Sequence, residues 1–202
     1  MATVNCLSLF LVLSVVLGQT QARLFTFQIP GTDTTCIMVD VDLKVEIQAI
    51  KNRQVIATKA LTTEDKGVTS NGMCATNTSE LLIHFDENTF FYVAFRPPPS
   101  HPAPVAQYRG FQFVPAEVFG KVTEVTTQMV FYDARSVYQK NIDDSYYCDT
   151  PDQTEYSSQQ PGSQEFNFVV NVTVFSLQSQ GFNIKNNKFG PREQCDTPAS
   201  LH

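Results

Sequence analysis

The chain has 202 residues, 42% of them hydrophobic, with 14 basic against 20 acidic side chains and a net charge of −6. That apolar content suffices for one packed domain, and the absence of a basic patch argues against nucleic acid as a partner. The acidic residues are scattered, not gathered at loop spacing, so no calcium or other metal site is expected.

Leu7 to Leu17 is an apolar run, Leu-Ser-Leu-Phe-Leu-Val-Leu-Ser-Val-Val-Leu. It is too short to cross a bilayer, which takes about 20 residues. Small residues follow at cleavage spacing, Val16/Gly18 or Thr20/Ala22, although the segment before the run carries no Lys or Arg. The run reads as a secretory signal peptide over 1–22, with the mature domain over 23–202.

Ile37 to Gln48 alternates strictly. Ile37, Val39, Val41, Leu43, Val45 and Ile47 share one face, while Met38, Asp40, Asp42, Lys44, Glu46 and Gln48 share the other. Such period-two alternation predicts a strand with one wet face. Further strands are expected over Gln54–Leu61, Ser79–Phe85, Thr89–Phe95, Phe111–Val114, Val122–Tyr132 and Phe166–Leu177. Turn signals stand at Ser70-Asn71-Gly72, Asp86-Glu87-Asn88 and Pro161-Gly162. Val130 to Ile142 is the one plausible helical stretch. Arg96 to Pro104 is proline-rich and lacks ladder donors, so it reads as a stiff polyproline-II spacer. Asp149 to Gln164 is rich in Ser, Gln, Asp and Pro and reads as a solvated loop. The fold class is therefore all-β in a single domain.

Of the five cysteines, Cys6 falls in the leader and Cys36, Cys74, Cys148 and Cys195 remain. An even set in an oxidising compartment reads as disulfides. Four cysteines allow three pairings, of which two successive local rings, Cys36 with Cys74 and Cys148 with Cys195, are the simplest. The spacing suits no zinc site, and His84 and His101 add no ligand pattern. Asn77-Thr78-Ser79 and Asn171-Val172-Thr173 are glycosylation sequons. Asn171 alternates with Phe168, Val170, Val172 and Val174, so it should point away from the core. Asn77 is expected on an exposed turn. There is no Gly-x-Ser-x-Gly elbow and no metalloprotease helix motif, and the mature thiols are consumed, so neither a catalytic residue nor a cofactor is expected. His84 reads as a polar-face residue between two core positions.

The order of several short motifs adds a resemblance. Cys36 leads into the long alternating strand, Gly72-Met73-Cys74 closes the first ring, and Leu81-Leu82-Ile83-His84-Phe85 follows. Ser145-Tyr146-Tyr147-Cys148 opens the second ring. Phe175-Ser176-Leu177-Gln178-Ser179-Gln180-Gly181-Phe182 resembles a Phe-x-x-Gln-x-Gln-x-Phe pattern, and Phe189-Gly190 with Glu193 and Cys195 resembles a Phe-Gly-x-x-Glu-x-Cys ending. Over roughly Cys36 to Asp196 the chain resembles the membrane-proximal luminal domain of the lysosome-associated membrane glycoprotein (LAMP) family.

The resemblance implies a β-prism, with sheets around a common core stapled by two local disulfides. It implies a non-enzymatic glycoprotein domain of the endosome or lysosome lumen or the cell exterior, with a structural, protective or lateral-assembly role. Its partners would be itself or other luminal membrane glycoproteins. The alternative is a secreted binding module for an apolar ligand such as a sterol, carried among the 16 phenylalanines, whose plainer reading is core filling. The sequence departs from the family pattern in a longer second ring and in having only two sequons. No transmembrane helix or sorting tail follows Cys195. A truncated or spliced product and a soluble member are both expected readings, with membrane contact only through a segment absent from this chain.

Overall fold

The computed structural model describes residues 22–96, 105–133, 137–139 (backbone only), 141–158 and 166–195. The expected leader, apart from Ala22, and the proline-rich segment beyond Arg96 lie outside the described residues. In chain order the strands are β1 (Arg23–Gln28), β2 (Thr35–Lys51), β3 (Gln54–Thr62), β4 (Thr69–Ala75), β5 (Thr78–His84), β6 (Phe90–Arg96), β7 (Val105–Phe113), β8 (Met129–Tyr132), β9 (Val137–Gln139), β10 (Ser145–Cys148), β11 (Asp152–Ser158), β12 (Asn167–Gln180) and β13 (Arg192–Gln194). One short helix, α1 (Pro115–Phe119), and a 3-10 turn at Gly120–Val122 link β7 to β8.

The two long strands, β2 and β12, pair antiparallel from Ile50↔Asn167 to Met38↔Gln180. Their flanking partners change halfway along. Residues 44–51 of β2 pair with β3, and residues 35–41 pair with β1. On the other side, residues 168–174 of β12 pair with β11, and residues 177–179 pair with β10, outside which β13 runs parallel. At the changeover Phe175 is an extra residue, because Val174 faces Leu43 and Ser176 faces Asp42. A bulge bends its strand and increases local twist. The first sheet therefore presents two faces, β3-β2-β12-β11 and β1-β2-β12-β10-β13. The second sheet, β4-β5-β6-β7-β8 with β9 also on β7, is the third face. The result is the expected all-β, prism-like fold with two local disulfides.

The bulge also changes which residues face inward. Phe168, Val170, Val172 and Val174 are buried before it, whereas Leu177 and Ser179 are buried after it. Strict alternation from Phe166 would have put Ser176 in the core. The expectation that Asp40 and Asp42 share a wet face needs correcting for the same reason. Asp40 is half-buried, and Asp42 is only 4% exposed. At the bend β1 stops at Arg23↔Val41 and β3 stops at Thr62↔Lys44. The next residue closes the gap: the Thr63 N–H donates to the Leu43 carbonyl, and the Leu43 N–H donates to Thr63 Oγ1. Asp42 lies at this closed junction. Met38, on the same face, is buried too, so the wet part of that face is Lys44, Glu46 and Gln48.

Between the faces Phe91, Phe95, Phe111, Phe113 and Phe168 are fully buried. Phe113 sits among Phe111, Phe131 and Phe168 at ring-centroid distances of 6.0, 6.2 and 5.8 Å. Such pairs add about 0.5–1.5 kcal/mol each beyond their area burial. The β2–β3 hairpin turns on Asn52 and Arg53, both at positive φ (52° and 65°), as a two-residue turn matched to strand twist requires.

Several expected elements differ. Where a helix was expected over Val130 to Ile142, the described residues form the strands β8 and β9; Met129 and Phe131 are buried while Val130 and Tyr132 are exposed, which is period two. The strand expected from Val122 shrinks to β8, and the one expected at Phe111 begins at Val105. Ser70-Asn71-Gly72 lies inside β4, where Gly72 lets Phe27 of β1 approach the backbone. The polar stretch from Asp149 contains β11, which pairs along the flank of β12.

Candidate functional site

Three specific contacts brace the prism. Cys36 of β2 is bonded to Cys74 of β4, with Cα atoms 6.3 Å apart, so the first disulfide joins the two sheets. Cys148 of β10 is bonded to Cys195 just beyond β13, with Cα atoms 5.1 Å apart. The seam where β11 meets the second sheet carries charge. Arg109 of β7 lies 3.0 Å from Asp152 Oδ2 and 3.5 Å from Asp133 Oδ2. Arg109 and Asp133 are each 7% exposed. The Phe131 and Tyr156 rings pack against each other with centroids 5.6 Å apart. This cluster has no signature in sequence, because its members come from three distant segments.

The motif residues before the last cysteine have a structural purpose. Gln178 Nε2 donates to Ser145 Oγ at 2.9 Å. Gln180, fully buried, donates through Nε2 to the Asp143 and Phe182 carbonyls and accepts from the Gly190 N–H at 2.7 Å. A Cβ on Gly190 would collide with the Asp143 carbonyl. These contacts hold the 181–190 loop against the opening of the second ring. Ser179 crosses the core instead, donating to Gln107 Oε1 of β7 at 3.0 Å.

Asn77 is exposed on the turn between β4 and β5. Asn171 is half-buried in β12, beside Glu46 and Glu155 on the neighbouring strands. With Lys44, Gln153 and Thr173 it lines a polar cleft of about 160 Å³. Asn171 alternates with the buried Val170 and Val172, so it faces outward. His84 is on the outer face of β5, with Nε2 3.2 Å from Asn71 Oδ1 and its ring 5.2 Å from Phe90. No group of three metal-capable side chains occurs among the described residues.

Larger concavities are present among the described residues. A groove of about 640 Å³ runs beside the first disulfide, lined by Ile29, Cys36, Cys74, Phe182 and Ile184 among others. A hollow of about 490 Å³ lies on the outer face of the second sheet, where Leu82, Phe90, Tyr92, Tyr108 and Tyr132 meet Glu80 and Arg96. The Tyr92 ring lies over Gly110, where a Cβ would collide with it, and meets Tyr132 edge-on at 5.7 Å. Burial pushes the Tyr92 phenol well above the usual tyrosine range, and its hydroxyl has no hydrogen-bond partner. The Arg96 guanidinium stands 5.4 Å over the Tyr108 ring. Sequence reading missed this hollow, because β6 and β7 carry aromatic residues on both faces and the pattern does not separate them.

Residues 16–196 match the family model of lysosome-associated membrane glycoprotein 2-like luminal domains. Lysosome-associated membrane glycoprotein 1 of Gallus gallus is 21% identical over 173 residues, covering 84% of this chain and 37% of that protein. The chain thus spans about a third of that relative's length. Among solved structures, the membrane-proximal domain of mouse lysosome-associated membrane protein 1 superposes with a TM-score of 0.56 at 18% identity, over 86% of this chain and 97% of that one. Human lysosome-associated membrane protein 3 gives 0.53 at 16% identity, over 86% and 99%. The membrane-distal domain of mouse lysosome-associated membrane protein 2 gives 0.58 at 12%, again over 86% and 99%. At these identities the likeness is one of fold. No helix among the described residues is long and apolar enough to cross a membrane.

Proposed function

The chain belongs to the lysosome-associated membrane glycoprotein 2-like luminal domain family, and from that premise we propose that it is a protective and assembling element of the endosome or lysosome lumen. As a member of that family it is a non-enzymatic luminal glycoprotein domain of the secretory pathway. The protective role rests on the bracing of the prism. A disulfide joins β2 to β4, a second disulfide joins β10 to Cys195 just beyond β13, and a buried ion cluster joins β7 to β11. A domain braced in this way opens rarely, and proteolysis follows the population of the open form. The two sequons face outward at separate places, the β4–β5 turn and the β12 face, where glycans would shield the backbone further.

The partners in this reading are further copies of the domain or other luminal membrane glycoproteins. With a pI near 5.0, the bare chain approaches zero net charge at lysosomal acidity, and low net charge promotes association. Sedimentation of the glycosylated and deglycosylated protein between neutral and mildly acid pH tests the assembly role. A larger species at acid pH is expected, and a strict monomer throughout refutes it. The alternative is an apolar ligand such as a sterol. The buried phenylalanines pack on one another, so the open groove beside Cys36–Cys74, with Ile29, Phe182 and Ile184 on its wall, is where such a ligand would sit.

A further inference from the structure

The outer face of an antiparallel sheet normally meets water with polar side chains. On the second sheet that face is largely apolar over β6, β7 and β8, where Phe90, Tyr92, Tyr108, Val130 and Tyr132 border the hollow. Charge in the hollow is confined to Glu80 of β5 and Arg96 of β6. A contiguous apolar patch rimmed by polar groups marks a contact surface.

The patch carries both a projection and a recess. Tyr132 is the projection, at 69% the most exposed large hydrophobic side chain among the described residues. Ala94 marks the recess. It lies between Glu80 and Tyr108 on the neighbouring strands and between Tyr92 and Arg96 along its own. All four are longer side chains, and all four line the hollow. The Arg96 guanidinium, 5.4 Å over the Tyr108 ring, walls one side. Tyr132 pairs with Gly110, and Gly110 with Tyr92, two residues along β6 from Ala94. Two strand spacings and one two-residue step therefore set the projection about 12 Å from the recess. That separation lets two reciprocal insertions clear each other.

A surface that holds both halves of a contact is self-complementary, which is what a two-fold interface requires. The charges agree with the shape. Among the described residues neither Glu80 nor Arg96 forms an ion pair within the chain. One carboxylate and one guanidinium leave the patch neutral in a chain of net charge −6, so two copies can meet there without like-charge repulsion. We propose that a second copy of this chain docks on this face about a two-fold axis passing over β7. Each Tyr132 enters the other copy's recess at Ala94, with its hydroxyl beside Glu80 and Arg96 of that copy. The sequons leave the contact open. Asn171 lies on the first sheet, and Asn77, on the β4–β5 turn, is at the opposite edge of the second sheet from β8. The inference rests on the assembly reading above and gives it a surface.

The test is sedimentation velocity of the glycosylated full chain, secreted from a eukaryotic host, at neutral and mildly acid pH. Tyr132→Ser removes the projection and Ala94→Leu fills the recess, so each variant alone should self-associate at least about tenfold more weakly than the unmutated protein. An equimolar mixture of the two should recover part of the loss, because Tyr132 of the Ala94→Leu chain can still enter the open recess of the Tyr132→Ser chain. Misfolding of either variant could not produce that recovery. The exposure of Tyr132 keeps its truncation compatible with the fold, so unchanged association of Tyr132→Ser overturns the docking even if Ala94→Leu proves unstable. Two folded variants that both lose association but recover nothing on mixing overturn it as well. In either case association of the unmutated protein leaves the assembly reading standing. An unmutated protein that is monomeric at every pH overturns that reading and this inference together.

Discussion

Substitution of Val41 by Asp, set beside substitution of its neighbour Asp42 by Val, probes the bend of the prism most directly. Val41 is fully buried between Arg23 of β1 and Leu177 of β12. Val41→Asp forfeits the burial of a valine, about 1.5–3 kcal/mol, and places a carboxylate in a face otherwise made of Val39, Leu43 and Leu177. An unpartnered polar group there adds at least a further 1–3 kcal/mol, and a charge more. The sum approaches the 5–15 kcal/mol that holds a typical domain together, so the variant should unfold or nearly so. Asp42→Val is a different kind of change from one on a wet face, because Asp42 is 4% exposed at the junction of β1, β3 and the bulge. Replacing a buried carboxylate by an apolar group of similar volume should lie within about 1 kcal/mol of neutral, in either direction. Lys44→Val, on the solvated part of the same face, should stay within about 0.5 kcal/mol. Urea unfolding at neutral pH measures all three. If Val41→Asp costs no more than Asp42→Val, the inward face of β2 has been misassigned.

Non-reducing peptide mapping should link Cys36 to Cys74 and Cys148 to Cys195, and any crossed pair contradicts two local rings. Paired Cys148→Ser and Cys195→Ser should lower stability by about 2–5 kcal/mol in denaturant titration, and no loss would remove the second ring from the account. Gln180→Leu strips the Gly190 N–H and two carbonyls of their partner, so a loss of about 1–3 kcal/mol or more is expected, with faster hydrogen exchange in the 181–190 loop; unchanged exchange there would mean that Gln180 does not hold it. N-glycosidase treatment of protein from a secretory host should reduce its mass, with Asn77→Gln and Asn171→Gln each removing part of the shift. If neither sequon contributes, the secretory reading fails.

How much of this was legible in sequence depended on whether burial left a periodic trace. β2 was readable because Ile37 to Ile47 alternate with polar residues over a long run. β12 was readable up to Val174 and then changed parity, since a bulge at Phe175 inserts one residue without any Gly or Pro to announce it. β11 was invisible: Asp152 to Ser158 contributes backbone pairing to β12 and little apolar surface beyond Tyr156. β10 and β13 are too short to show a period, and Gly72 mimics a turn where it serves close packing against Phe27. Ring sizes pointed to the disulfide pairing because local rings need only sequence distance. The cluster of Arg109, Asp133 and Asp152 and the aromatic hollow needed three dimensions, because each is assembled across strands.

Lysosomal protease digestion of the secreted, glycosylated protein at acid pH, run with and without prior reduction and alkylation of its cysteines, tests the central claim of a stapled luminal glycoprotein domain most directly. The account predicts that the oxidised protein stays intact over hours while the reduced protein is degraded, since loss of the Cys36–Cys74 and Cys148–Cys195 bonds exposes strands that the prism otherwise protects. Equal and rapid degradation of both forms would contradict it.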